Sequence, residues 1–221
     1  MKESTIIFLR TAILFFQIVA AIVGILLFKK WRNTSITIII LYLIIIVIAE
    51  LVGYSLGVLK MYNYKNILYK YLVLPFEFFS VAYFYYSIAI NKFQKKSTLL
   101  LAVLFTICWL IELFFLDNIS LSFSSFSYSI GNLFFLIFVF IYGYQLLQTD
   151  EFMQFYKQAN FWISFAWLLF YLLSFPYYLL FNTLVQHYYK TIYLPYQCIV
   201  IFLNYIMYSI FAATLIWIKP K

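Results

Sequence analysis

One histidine, two cysteines, five glycines and seven acidic residues in 221 positions leave little material for most kinds of chemistry. With His187 as the sole imidazole, a multi-histidine zinc site is excluded, because such sites need several histidine ligands. Cys108 and Cys198 both fall in apolar runs expected to be helical. They read as small packing residues, and no disulfide follows from them. Glycine-rich phosphate loops are absent. The last apolar run, residues 191–217, contains no lysine, which excludes a retinal Schiff base. No serine or cysteine has an evident base partner. The expectation is a protein that is not an enzyme, with no catalytic residue, metal or cofactor.

What is present in excess is apolar. Hydrophobic residues make up 67% of the chain, against roughly 45–50% in a soluble domain, and only 10% are charged. Apolar runs of about 18 residues or more recur along the length, the signal of membrane-spanning helices. Seven segments fit, at about 5–28, 35–58, 71–91, 97–116, 124–148, 158–182 and 191–217. The fold class expected is all-α, a polytopic bundle of seven transmembrane helices forming one domain over 1–221. The connections between these segments are too short to hold a soluble catalytic or nucleic-acid-binding domain. The first segment does not read as a signal peptide: it contains Arg10, lacks a small-residue cleavage site and runs into "KKWR", a stop-transfer pattern. Aromatics, at 24%, exceed what interfacial belts require; part of that excess reads as compositional bias, so single aromatics carry little functional weight.

The net charge of +8 sits mainly at helix ends, where it reports topology rather than a nucleic-acid surface. One side collects Lys29, Lys30, Arg32, Lys92, Lys95, Lys96, Lys157, Lys219 and Lys221. The other collects Lys2, Arg10, Lys60, Lys65, Lys70 and Lys190. The positive-inside rule then puts the N-terminus outside and the C-terminus in the cytoplasm of a bacterial inner membrane. The 4–5 connection "DNISLSFSSFS" carries no positive charge, as an outer loop should.

Two stretches nearly coincide. "YKYLVLPFEF" at 69–78 returns as "YKTIYLPYQC" at 189–198, an offset of 120 residues. Tyr69, Lys70, Leu74 and Pro75 match Tyr189, Lys190, Leu194 and Pro195, while Phe76 and Glu77 become Tyr196 and Gln197. The same offset lays helix 1 on helix 5 and helix 2 on helix 6, leaving helix 4 as a linker. This is a 3+1+3 plan with parallel copies about an axis along the membrane normal. Each proline is expected in the first turn of its helix, where its missing N–H costs little. Lys70 and Lys190 are expected at the membrane boundary, and Glu77 and Gln197 at equal depth on opposite sides of a central space.

Polar groups share one depth. At about 1.5 Å rise per residue, Glu50, Glu77 and Glu112 lie about 12, 10 and 7 Å below the outer boundary, and Arg10 about 8 Å. Asn132, Gln197 and Pro176 fall in the same band; Gln17 and Asn204 sit nearer the middle, and Gln145 near the inner end of helix 5. A carboxylate at membrane depth costs about 2.5–3.5 kcal/mol on insertion scales. Such groups face inward, take a proton or find a partner. The expectation is an acidic chamber open to the outside, with Glu50, Glu77, Glu112, Arg10, Gln197 and Asn132 as ligand-binding residues. A structural role for the same set stays open, with Glu112 reaching the interface and Glu50 pairing with Arg10 to staple two helices. His187 is expected in a solvated outer loop.

The 3+1+3 layout is similar in architecture to the SWEET and PQ-loop transporter families, although there the Pro-Gln pair sits in the first helix of each triplet. A second resemblance rests on "AELVGY" with Glu50 and Tyr54, "LPFEFF" with Glu77, "ANFWISFAWLLFY" opening helix 6, and Asn204. These motifs resemble stand-alone seven-helix membrane proteins of Bacteroidetes, whose counterparts serve as sensory parts of histidine kinases. That resemblance implies a receptor-like role and a signalling partner. Three functions follow as expectations. One is a receptor for a small polar or cationic ligand, the second a small-solute or proton-coupled transporter, and the third a scaffold subunit of a membrane complex.

Overall fold

The computed structural model describes residues 3–116, 125–148 and 150–220. Lys2, Lys221 and most of the 4–5 connection, 117–124, lie outside the described residues. Among the described residues, seven helices are long and apolar enough to cross a membrane. They are α1 (Glu3–Leu26), α2 (Ile36–Val58), α3 (Tyr62–Ile88), α4 (Lys92–Phe115), α5 (Ser125–Leu147), α6 (Ala159–Leu179) and α7 (Tyr189–Trp217). The protein is an all-α seven-helix bundle, and its apolar spans imply a bilayer around it. In hydrocarbon, backbone N–H and C=O groups find no water, so a lone spanning segment must satisfy them internally as a helix. Even α6, with 21 residues, is about 31 Å long at 1.5 Å per residue, enough for a hydrocarbon core of about 30 Å.

The helices close into a ring. α1 packs on α2 and α7, α2 on α3, α3 on α5, α5 on α6, and α6 on α7. α4 stands outside this ring and touches α3 and α5. The packing follows the sequence repeat. Exchanging α1, α2 and α3 for α5, α6 and α7 turns the α1–α2 contact into α5–α6, the α2–α3 contact into α6–α7, and the α3–α5 contact into α7–α1. All six are present.

The doubled stretch has the same local form in both copies. A seven-residue helix (Tyr62–Leu68, Phe181–His187) leads to a π-helical turn (Tyr69–Val73, Tyr189–Tyr193). The α-helix then starts at Leu74 or Leu194, with Pro75 or Pro195 in its first turn. Proline lacks an N–H and crowds the carbonyl four residues back. A π turn widens the helix just there and relieves both problems. α3 therefore begins at Tyr62, well before the 71–91 expected from hydropathy. The polar "YNYKN" hides the helix start because hydropathy reads membrane depth, not helical continuity. Lys70 is buried at 7% exposure, and the Trp109 indole donates to its carbonyl at 3.1 Å. Lys190 is exposed. His187 ends a short helix instead of lying in an irregular loop, and it is exposed.

Side chains tie off several helix ends. Lys30 Nζ donates to the carbonyls of Leu215 at 2.8 Å and Ile216 at 3.1 Å, and Trp31 Nε1 donates to Leu215 at 3.2 Å. These are among the last carbonyls of α7, which have no partner within the helix. Gln145 Nε2 does the same for Ile88 at the end of α3, at 3.2 Å. α2 ends in a Schellman motif: Met61 N–H reaches the Leu56 carbonyl at 2.9 Å and Lys60 N–H reaches Gly57 at 3.1 Å. Lys60 takes the left-handed position, φ 58°, usually given to glycine.

Candidate functional site

α1, α2, α3, α5, α6 and α7 enclose a cavity of about 650 Å³ in the half of the bundle that carries the N-terminal end of α1. It is partly open. The size falls within the range of about 300–1,000 Å³ typical of small-molecule sites. In the opposite half a small void of about 10 Å³ lies between Tyr85, Thr98 and Gln145.

Each wall is one face of a helix. α2 contributes Tyr42, Ile46, Glu50 and Tyr54, four residues apart each time. α7 contributes Gln197, Val200, Ile201, Asn204 and Tyr208, and α1 contributes Arg10, Ile13, Leu14 and Gln17. Residues three and four apart on a helix lie on one side, so these stripes all turn inward together. α3 adds Lys65, Tyr69, Val73 and Glu77 through its π turn.

Four of the six residues expected from sequence line this one cavity: Arg10, Glu50, Glu77 and Gln197. Glu77 receives the Tyr171 hydroxyl at 2.9 Å and the Tyr42 hydroxyl at 3.4 Å, both on Oε1. Glu50 Oε2 receives the Tyr69 hydroxyl at 2.7 Å. Gly53 makes that bond possible, because a Cβ there would stand 2.7 Å from the Tyr69 hydroxyl and 2.8 Å from its ring. Arg10 does not staple α1 to α2 through Glu50. With the Gln197 amide turned to suit its neighbours, Oε1 accepts from Arg10 Nε at 2.9 Å and Nη2 at 3.0 Å. Arg10 and Lys65 remain within electrostatic reach of Glu50. At the inner end, Gln17 Nε2 donates to the Tyr208 hydroxyl at 3.2 Å. Asn204 lines the wall and returns its amide to Val200 at 2.9 Å.

The other two lie elsewhere. Glu112 is buried at 4% exposure, and its Oε2 accepts from the Ser127 N–H at 2.8 Å, at the N-terminus of α5. It does not reach the interface. A carboxylate suits that end, where the helix dipole is positive and N–H groups lack partners. Asn132 is buried at 1% on α5 and does not line the cavity; its Nδ2 has no hydrogen-bond partner among the described residues.

Sequence reasoning missed the tyrosines. Seven of the 22 line the cavity, at 42, 54, 69, 128, 177, 178 and 208, and Tyr171 stands behind Glu77. Compositional bias hid them. The signal was their register: Tyr42, Glu50 and Tyr54 share one helical face, as do Gln197, Asn204 and Tyr208. Among the described residues no three His, Cys, Asp or Glu side chains cluster as metal ligands. No family model matches the sequence, nor does any curated protein or solved structure.

Proposed function

We propose that this chain is a receptor-like protein of the bacterial inner membrane that binds a small polar or cationic ligand in the cavity. The N-terminal end of the bundle faces outward, and the signal passes to a partner protein at the cytoplasmic end. One observation carries the reading. Arg10, Glu50, Glu77 and Gln197 meet in a single, partly open cavity in the half of the bundle that carries the N-terminal end of α1. A ligand held there contacts α1, α2, α3, α5, α6 and α7 together. Glu77 and Gln197 each lie a few residues beyond a π turn, and such turns mark sites where helices adjust. A ligand that favours one arrangement of α3 and α7 shifts the population toward it.

The test is ligand-dependent stabilisation and signalling in the Glu77→Gln variant. The amide keeps an acceptor for Tyr42 and Tyr171, so folding is retained, while response to a cationic ligand falls by about tenfold or more. An unchanged response removes Glu77 from the site and the receptor reading with it.

A transporter remains the second reading, because the repeat places a proline and a π turn at matching points of two helices. Alternating access by rocking of two halves uses that kind of symmetry. Uptake of the binding ligand into proteoliposomes decides for it, and binding without uptake decides for the receptor.

A further inference from the structure

We infer that the cavity takes a zwitterionic ligand, with its ammonium end toward Glu77 and its acidic end toward Arg10. This rests on the ligand-binding reading above and names the ligand class.

The cavity holds charges of both signs and keeps them apart. Among the described residues no ion pair joins Arg10 or Lys65 to Glu50 or Glu77. Three of the five charged residues that line the cavity are held by neutral ones: Glu77 by Tyr42 and Tyr171, Glu50 by Tyr69, and Arg10 by Gln197; Lys65 and Lys70 are the other two. Neutral partners fix the direction of a charged group without cancelling its charge. The separation is not forced by distance between elements, since α1 packs directly on α2 and Arg10 acts electrostatically on Glu50. Half-buried charges left uncancelled are costly, and opposite charges brought in by a ligand offset that cost.

The repeat explains how the two poles arose. The Pro-x-Glu of α3 and the Pro-x-Gln of α7 are equivalent positions, and both line the cavity. A glutamate at 197 would sit against Arg10 as a salt bridge and consume its charge. Glutamine gives the guanidinium the same bidentate acceptor and leaves the charge for an anion, which the planar fork of arginine suits. The symmetric frame therefore carries a negative pole on one side and a positive pole on the other. Around the negative pole the walls are aromatic. Tyr42, which donates to Glu77 at 3.4 Å, lines the cavity together with Tyr128, Tyr178 and Tyr208. Tyrosine faces beside a carboxylate favour an ammonium group.

The experiment uses the full chain in lipid nanodiscs and thermal unfolding as the readout of binding. The probes are matched triplets: phenylalanine, phenethylamine and 3-phenylpropionate, then leucine, isoamylamine and isocaproate. At least one amino acid is expected to stabilise the protein with an affinity about tenfold above its amine and its acid. Gln197→Glu is expected to keep the unfolding temperature, through a new pair with Arg10, and to abolish the preference for the amino acid over the amine. Arg10→Gln is expected to do the same where it folds. If an amine binds as well as its amino acid, the ligand-binding reading stands and the two-pole inference falls. Zwitterion binding that survives Gln197→Glu also overturns it. If no member of either triplet shifts the unfolding temperature, both readings fail.

Discussion

Tyr69 decides how Glu50 is presented. Its hydroxyl is the nearest donor to that carboxylate, at 2.7 Å, and Gly53 clears the space for its ring. Tyr69→Phe removes one hydrogen bond to a charged acceptor, and a stability loss of about 1.5–3 kcal/mol is expected where Glu50 stays ionised. Gly53→Ala acts on the same pair from the other side. The added methyl meets the Tyr69 ring at 2.8 Å, and such overpacking costs about 1–3 kcal/mol. The two substitutions are expected to be non-additive in a double-mutant cycle, because both end in the loss of one bond. Equilibrium unfolding in mild detergent measures all three. Full additivity would show that Gly53 does not support Tyr69. At this scale the sequence was partly legible. The costly residues, Glu50, Glu77 and Arg10, announced themselves because charge at membrane depth demands a reason. Their partners did not, since Tyr69, Tyr42 and Tyr171 are three tyrosines among many until the fold brings them to a carboxylate. Glu112 shared the depth of the others yet belongs to the α5 terminus, a destination set by which face of α4 it occupies.

The helices themselves were the easiest elements to read, because an apolar run long enough to cross hydrocarbon has no alternative but to be helical. The start of α3 was not, since its first turns are polar and depend on packing and the π turn. The doubled proline segment shows how local sequence becomes function here. The π turn accommodates the ring of Pro75 or Pro195 and sets the register of everything beyond it, including Glu77 and Gln197 two residues on. Pro75→Ala is expected to let α3 relax to regular α-helix, rotating Glu77 away from Tyr171. Its signature is weakened ligand binding with stability nearly retained; binding unchanged from the parent would show that the proline does not set the register. At the α2–α3 corner Lys60 occupies a left-handed position. Lys60→Gly is expected to raise stability by about 1 kcal/mol, since only glycine adopts that conformation without strain. A lower unfolding midpoint would mean that the lysine side chain matters more than the backbone.

At the scale of the molecule, six helices form a pseudo-symmetric ring and a seventh, α4, braces its outside. The ring is anchored at the end that carries the C-terminus of α7, where Lys30 and Trp31 grip its last carbonyls, and hollow at the other. Phe78, stacked on Phe105 at 3.7 Å, fixes the brace to α3. The repeat in sequence foretold the ring, because equivalent helices must meet equivalent neighbours. With the shared depth of the polar groups it also gave the expectation of a central chamber, but not its volume, which depends on side-chain volumes summed over six helices. This hollow admits solutes from the N-terminal side past Asn204 as far as the Gln17–Tyr208 pair at its inner end. Cysteine accessibility tests this most directly, using Asn204→Cys in a background with Cys108→Ser and Cys198→Ser. A membrane-impermeant thiol reagent is applied to either face of oriented membranes. Labelling from the N-terminal face alone is the predicted result, and labelling from the C-terminal face, or from neither, would contradict the account.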